Sequence, residues 1–283
     1  MDTKIIWPNY KIYDHATIVE RMIFVKKNMN GLLPIYGKEK EKLQIYANEH
    51  HLPPYEMVCL RNTIRIQKEI DSSKKFGSSI GKIRAMFREL TNELATMIDD
   101  NQKNLKIRYF FKSTQMPFHY VYKTIVAMPE FKSLTENSVN YIKKLDNAVY
   151  AAEIEIHDRS LKFEHMLENY LKSLNIKFRT EEDIKRDKDY NVTPDILFDG
   201  PIILELNGIN YNIRWMDAKN YILTNTPFII KSLHKQAAKY NNAFGMGAFV
   251  FHYGFDSSIE IPGTLILDGS WLDKFNKFYG VKL

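Results

Sequence analysis

Asn207-Gly208 stands between two apolar runs, Ile202 to Leu206 (IILEL) and Asn212 to Ala218 (NIRWMDA). Asn-Gly is the dipeptide that tolerates the positive φ angles of a tight hairpin turn. Two neighbouring antiparallel strands are therefore expected here, and whatever the strands carry is brought together. Thr193 to Phe198 (TPDILF) reads as another strand start, with Pro194 at a position where a missing N–H is tolerated. Side chains alternate along a strand, so Asp217 and Lys219 share a face. The same parity places Ile213 and Trp215 with them, and Arg214, Met216 and Ala218 on the other side.

The flanking sequence supplies the layers. Phe163, Met166, Leu167, Tyr170, Leu171 and Leu174 recur with helical spacing, predicting an amphipathic helix over residues 161–174 with Glu164 on its flank. Lys177 to Arg179 reads as a short strand, and the charge-dense stretch from Thr180 to Asn191 as a loop. Residues 228–240 read as a helix on which Gln236 and Tyr240 are i, i+4 neighbours. Phe244-Gly245-Met246-Gly247 breaks that helix, and residues 248–253 (AFVFHY) suit a buried strand. The order helix, strand, strand, strand, helix, strand predicts an α/β domain, a mixed sheet flanked by helices.

Two motifs on those strands carry chemistry. Pro194-Asp195 is followed by Asp217-Ala218-Lys219. Paired carboxylates hold a hard divalent cation such as Mg2+ or Mn2+ through oxygen. Such a cation activates water and screens phosphate charge, and a lysine adds positive charge where negative charge develops. A metal-dependent phosphodiesterase needs this combination. The letters alone are common: Asp2-Thr3-Lys4, Glu130-Phe131-Lys132 and Asp183-Ile184-Lys185 also fit acid-x-Lys, although only Asp217-Ala218-Lys219 follows the single Pro-Asp. On the letters, Asp195 also reads as a turn acid, Asp217–Lys219 as a surface ion pair, and Glu164 as a solvated helix flank.

The segments Asp187 to Asp195 (DKDYNVTPD), Trp215 to Lys219 (WMDAK), Gln236 to Tyr240 (QAAKY), and Phe244 to Gly247 with Gly254-Phe255 resemble the TPD-motif, codanin-1-interacting nuclease-like family of the PD-(D/E)xK nuclease superfamily. The resemblance covers roughly residues 140 to 256. It implies a restriction-endonuclease-like fold with an αβββαβ core. It implies that Asp195 and Asp217 ligate metal, with Glu164 and the backbone carbonyl of Ala218 as further ligands. Lys219 is then the catalytic lysine, and Gln236 and Tyr240 position substrate. The third-strand acid is Asp217 where many relatives have Glu. The family also implies a regulatory protein partner, which leaves a non-catalytic adaptor keeping the nuclease fold as the alternative function.

The N-terminal half reads differently. Residues 1–150 carry 24 Lys and Arg against 16 Asp and Glu, whereas residues 151–283 carry 16 against 18. Residues 14–150 read as helices with polar breaks. Residues 38–50 and 54–71 form a helix-turn-helix-like pair, and residues 105–112 and 117–127 a second. An all-α region, 1–135, is therefore expected to precede a nuclease domain, 136–283. Arg61, Arg65 and Lys68 would form a basic face on the first pair; Lys106 and Arg108 on the second pair, and Lys185 and Arg186 of the charged loop, are further candidates for nucleic-acid contact. Ser72 to Lys82 (SSKKFGSSIGK) reads as a flexible loop. These features favour DNA over RNA as partner. The aromatic side chains of residues 109–122 have helical spacing and read as core before they read as base-stacking groups.

The rest of the composition excludes alternatives. Cys59 is the single cysteine, so neither an intramolecular disulfide nor a cysteine-based zinc site is available. His50-His51 lacks partners at ligand spacing and reads as a polar turn. The first residues have no basic segment followed by an apolar run, and no stretch approaches the roughly 18 apolar residues of a membrane span. The expectation is an intracellular protein, nuclear or cytoplasmic, neither secreted nor bound to a membrane.

Overall fold

The computed structural model describes residues 4–278 of the 283. Asp2 and Thr3 of the first acid-x-Lys triplet lie outside them. In chain order the described elements are β1 (Lys4–Ile6), β2 (Ile12–Tyr13), α1 (His15–Asn28), α2 (Gly37–Glu49), α3 (Pro54–Ser73), α4 (Phe76–Thr96), α5 (Asp100–Ser113), α6 (Phe118–Val126), α7 (Pro129–Lys132) and α8 (Glu136–Ser173). They continue with β3 (Phe178–Thr180), α9 (Glu181–Asp187), β4 (Ile196–Leu206), β5 (Ile209–Lys219), α10 (Pro227–Phe244), β6 (Gly247–Phe251), β7 (Phe255–Asp256), β8 (Thr264–Asp268) and α11 (Leu272–Phe278).

Two compact units result, one from residues up to 23 together with those from 157 onward, the other from residues 24–156. A single cut at 135/136, with an all-α region before it, does not describe this division. The reason is strand pairing: β1 runs parallel to β4, with Lys4 opposite Ile203 and Ile6 opposite Glu205. A short N-terminal strand thus completes a sheet encoded some 200 residues later, a pairing that local sequence gives no sign of.

In the sheet unit the strand order is β1-β4-β5-β6-β8, with β3 also on β4. β4 and β5 are antiparallel, joined by a two-residue turn in which Asn207 (φ 52°) and Gly208 (φ 81°) both take positive φ, as the Asn-Gly signal predicts. The runs 193–198 and 202–206 belong to one strand rather than two. The register shifts between Leu197 and Ile202, so β4 bends there. β3 pairs with its first half and β1 with its second.

That irregularity also corrects the expected parity of β5. Ile213 packs with Ile202 and Leu204 on the α8 side of the sheet, whereas Trp215 packs with Leu233, Ala237 and Tyr240 on the α10 side. A bulge switches which face successive residues present. Asp217 and Trp215 keep the shared face; Ile213 does not.

The α8 layer buries Phe163, Leu167 and Leu171 against Ile196, Phe198, Met216 and Ala218. The opposite layer contains a helix where a loop is expected. In α9, Thr180 Oγ1 accepts from the Asp183 N–H (3.3 Å) and Asp183 Oδ2 accepts from the Thr180 N–H (3.0 Å). This capping box satisfies two orphan donors, and Ile184 is fully buried in the α10 layer, so the dense charge around it is tolerated.

In the helical unit the core joins Ile83, Phe87 and Leu90 of α4, Ile107, Phe110 and Phe111 of α5, Phe118, Val121 and Ile125 of α6, and Ile142 and Leu145 of α8. The expected Ser72–Lys82 loop is instead the end of α3 and the start of α4. Phe76 stacks on Tyr120 with ring centroids 4.6 Å apart, and Ile83 is buried, so an apolar stripe pulls the serine-rich segment into a helix.

Candidate active site

The antiparallel register pairs Ile196 with Met216. Asp195, one residue before Ile196, therefore lies across from Asp217, one residue after Met216. The Ala218 N–H donates to Asp195 Oδ2 at 2.7 Å. Strand geometry alone thus brings together two carboxylates 22 residues apart in sequence, at the end of β5 that also carries Lys219.

Asp217 is buried, and each of its oxygens is engaged differently. Oδ2 lies 3.0 Å from Gln236 Nε2, which donates to it, and 3.1 Å from the Tyr240 hydroxyl. That hydroxyl also accepts from Gln236 Nε2 (2.9 Å) and lies 3.1 Å from the Thr193 carbonyl. Oδ1 forms an ion pair with the Lys219 ammonium, and no other donor among the described residues reaches it. Trp215 braces the arrangement: its ring meets Tyr240 edge-on with centroids 5.0 Å apart, and its Nε1–H donates to the Gly245 carbonyl at 3.0 Å. Gly247 is required at this point, since a Cβ there would lie 2.2 Å from the Trp215 ring.

The electrostatics show a surplus of acidic over basic groups. Burial, then the neighbouring charges of Asp217 and Glu164, push the Asp195 carboxyl up to about 8. Burial and the charge of Asp217 likewise raise Glu164 above the ordinary carboxylate range. Burial alone would depress the Lys219 ammonium, but the charge of Asp217 beside it holds it above its ordinary value. Three carboxylates thus feel one another's fields with one lysine among them. Burial, followed by the charge of Asp217, also raises the Tyr240 phenol, which therefore stays protonated.

Asp195, Asp217, Ala218, Lys219, Gln236 and Tyr240 are joined by direct contacts, and Glu164, on α8, sits within their electrostatic field. No group of three or more His, Cys, Asp or Glu side chains among the described residues is poised as a metal cage. The donor chemistry nevertheless fits a hard cation: oxygen donors only, more carboxyl groups than cations, with one buried carboxylate oxygen met by a single ammonium.

Most of the basic residues expected to contact nucleic acid are engaged by neighbours within their own unit. Arg61 is a correction: it is 1% exposed, its Nε–H donates to Glu39 Oε1 at 2.8 Å, and its Nη2 donates to the Leu33 carbonyl at 2.5 Å. It holds α2 to α3 and presents nothing to a phosphate. Arg65 is half-buried against Glu69 (2.6 Å), and Lys68 is exposed. Lys106 pairs with Glu93 (2.7 Å) and Arg108 stacks on the Tyr36 ring. Lys185 pairs with Glu181 (2.8 Å), and Arg186 with Asp183 (3.0 Å) and Asp187 (3.2 Å). Acids absent from the i, i+4, i+7 count take up most of these cations. Trp215 and the Thr193 carbonyl are the site members that the sequence did not single out; the Gly245–Gly247 segment was the available signal for the former.

Comparison with known proteins covers the stretch of chain that carries the site. The family model described as "Protein of unknown function TPD sequence-motif" matches residues 131–270, and the chain belongs to that family. The chain is similar to an uncharacterized protein of Acanthamoeba polyphaga mimivirus, 43% identical over 279 residues and covering 98% of each chain. It is also similar to CDAN1-interacting nuclease 1 of Danio rerio, 28% identical over 116 residues, and of Xenopus tropicalis, 31% identical over 113 residues. These alignments span 40% and 38% of this chain, but only 37% and 34% of the two nucleases. No solved structure matches the chain. No helix among the described residues is long and apolar enough to cross a membrane.

Proposed function

We propose that the protein is a nuclease of the PD-(D/E)xK kind, hydrolysing phosphodiester bonds in DNA with Mg2+ or Mn2+, and that its sheet unit is a restriction-endonuclease-like fold. The observation that carries this reading is the register of β4 and β5. It sets Asp195 across from Asp217, with the Ala218 N–H on Asp195 Oδ2 and Lys219 on Asp217 Oδ1.

Asp195 and Asp217 would hold the cation, with Glu164 adding charge from α8 and the Ala218 carbonyl as a further donor. A bound divalent ion supplies Lewis acidity and screens the phosphate. Lys219, held beside Asp217 Oδ1, would stabilise the negative charge that develops on the non-bridging phosphate oxygens. Gln236 and Tyr240 fix Asp217 Oδ2, so the carboxylate enters the reaction already oriented, and α8 and α10 cover the two faces of the sheet behind it. The names of the fish and frog relatives support nuclease activity, and "CDAN1-interacting" in those names points to a protein partner. The second reading, an adaptor that keeps this scaffold, draws on that partner.

The test is the purified protein with Mg2+ or Mn2+ on labelled single-stranded, duplex, flap and four-way DNA and on RNA of the same sequence. Cleavage by the wild type that is lost in Asp195→Asn, Asp217→Asn and Lys219→Ala, all three still folded, supports the mechanism. Full activity in the three variants excludes it. A folded wild type that neither takes up metal nor cuts favours the adaptor.

A further inference from the structure

Helix α10 supplies Gln236 and Tyr240 to the site, and its outer surface has a property of its own. Its 18 residues contain Lys231, His234, Lys235 and Lys239 and no acid. Lys231, Lys235 and Lys239 follow one another at i, i+4 and i+8, so they form a single stripe. All three are exposed, and none has an ion pair among the described residues. Several other exposed cations of the same unit are neutralised locally: Lys172 by Glu168, Lys185 by Glu181, Arg186 by Asp183. The α10 stripe is left open.

Its position relative to the site follows from helix geometry. Leu233, Ala237 and Tyr240 face the sheet. Lys239 is i+3 from Gln236, whose amide reaches Asp217 at 3.0 Å. The stripe thus begins on the flank of α10 that Gln236 occupies and leads away from the carboxylates. Successive lysines lie about 6 Å apart on the helix surface and the three cover about 12 Å. Flexible ammonium-tipped side chains at that spacing suit successive phosphates of one strand, where they act as point charges without reading bases.

We propose that Lys231, Lys235 and Lys239 bind the DNA backbone flanking the scissile phosphate and hold it in register with Asp195 and Asp217. The proposal rests on the nuclease reading of the site and names the surface that delivers substrate to it. This surface lies in the catalytic unit itself, and the basic face expected on α3 is not needed for it.

The experiment compares Lys231→Gln/Lys235→Gln/Lys239→Gln with the native stripe. Binding is measured in an Asp217→Asn background without divalent metal, using labelled single-stranded and duplex DNA and RNA of the same sequence, over a series of salt concentrations. Thermal unfolding checks the fold, and cleavage is measured in the otherwise wild-type chain. The expected result is an affinity for DNA at least tenfold weaker near 100 mM salt. The slope of log K against log salt should fall by about 2 to 3, as loss of three phosphate contacts requires. In cleavage, KM rises tenfold or more while kcat changes less than about threefold. Unchanged affinity and slope overturn the proposal even if the enzyme cuts DNA. Failure of the Asp217→Asn protein to bind DNA at all also overturns it, as does tighter lysine-dependent binding of RNA than of DNA. Lysine-dependent DNA binding without wild-type cleavage keeps the stripe and removes the nuclease reading.

Discussion

Each unit buries an ion pair, and the two pairs are built for different ends. In the helical unit Arg61 and Glu39 are matched one to one. Nη2 of the guanidinium donates to the carbonyls of Leu33 and Gly31, and the second Glu39 oxygen accepts from the Asn30 N–H. Charge is balanced and both Glu39 oxygens are engaged, so the pair fixes how α2, α3 and the 30–33 segment meet. In the sheet unit Lys219 meets Asp217, but Asp195 and Glu164 share the same field, and burial and mutual repulsion push both upward. A buried pair with surplus charge is incomplete without a further positive group. The contrast teaches that burial of an ion pair says little about its role; the balance of charge around it says more.

The largest effect is expected on catalysis. Asp217→Asn should lower DNA cleavage at least a thousandfold with the unfolding midpoint nearly unchanged, as measured by gel assay and denaturation. Loss of a similar size in Arg61→Met, with the fold intact, would erase the distinction between the pairs. Arg61→Met instead should cost stability, about 3–5 kcal/mol, because Glu39 is left buried and unpaired. Denaturant unfolding reads this, and Glu39→Leu combined with Arg61→Met should recover part of the loss.

A pH series sharpens the comparison. The Asp195 carboxyl is raised from 3.8 to about 8 in the folded protein, so folding favours its protonated form. Its contribution is fully present below about pH 4 and is lost as pH rises toward 8. Metal-free wild type should therefore lose stability across that window, and Asp195→Asn should lose less, with a difference on the order of 2–4 kcal/mol at pH 8. Mn2+ should restore the wild type alone. Parallel stability profiles for the two proteins would contradict a surplus of charge at the site. A smaller effect is expected for Tyr240→Phe, which removes the hydroxyl near Asp217 Oδ2 and the Thr193 carbonyl. Activity should fall about tenfold, matching about 1.4 kcal/mol for one lost hydrogen bond, with metal affinity preserved. Smallest of all, Lys68→Gln with Lys106→Gln should leave DNA affinity unchanged in a binding titration.

What was legible in the sequence was local. Asn207-Gly208 marked the hairpin, and the i, i+4 spacing of Gln236 and Tyr240 marked a shared face that turns out to meet at Asp217 Oδ2. The acids were legible as a motif, and the strand register then placed them across from each other. The misreadings came from contacts distant in sequence or from interruptions of a period. Arg61 falls on a regular basic spacing, but its partner Glu39 lies 22 residues earlier. Ile213 follows strand parity only until the register shift opposite residues 197–202. β1 finds β4 across the length of the chain. Thr180-Asp183 is a different case: a capping box is present in the sequence, but a single buried apolar residue, Ile184, amid dense charge gives no helical period to go with it.

The central claim is that Asp195 and Asp217 together receive a divalent cation, and calorimetric titration of the metal-free protein with Mn2+ tests it most directly. The wild type should bind Mn2+ with heat that vanishes in Asp195→Asn and in Asp217→Asn, and release protons on binding at pH 7, where Asp195 is largely protonated. Absence of binding by the folded wild type, or equal binding by both variants, would contradict it.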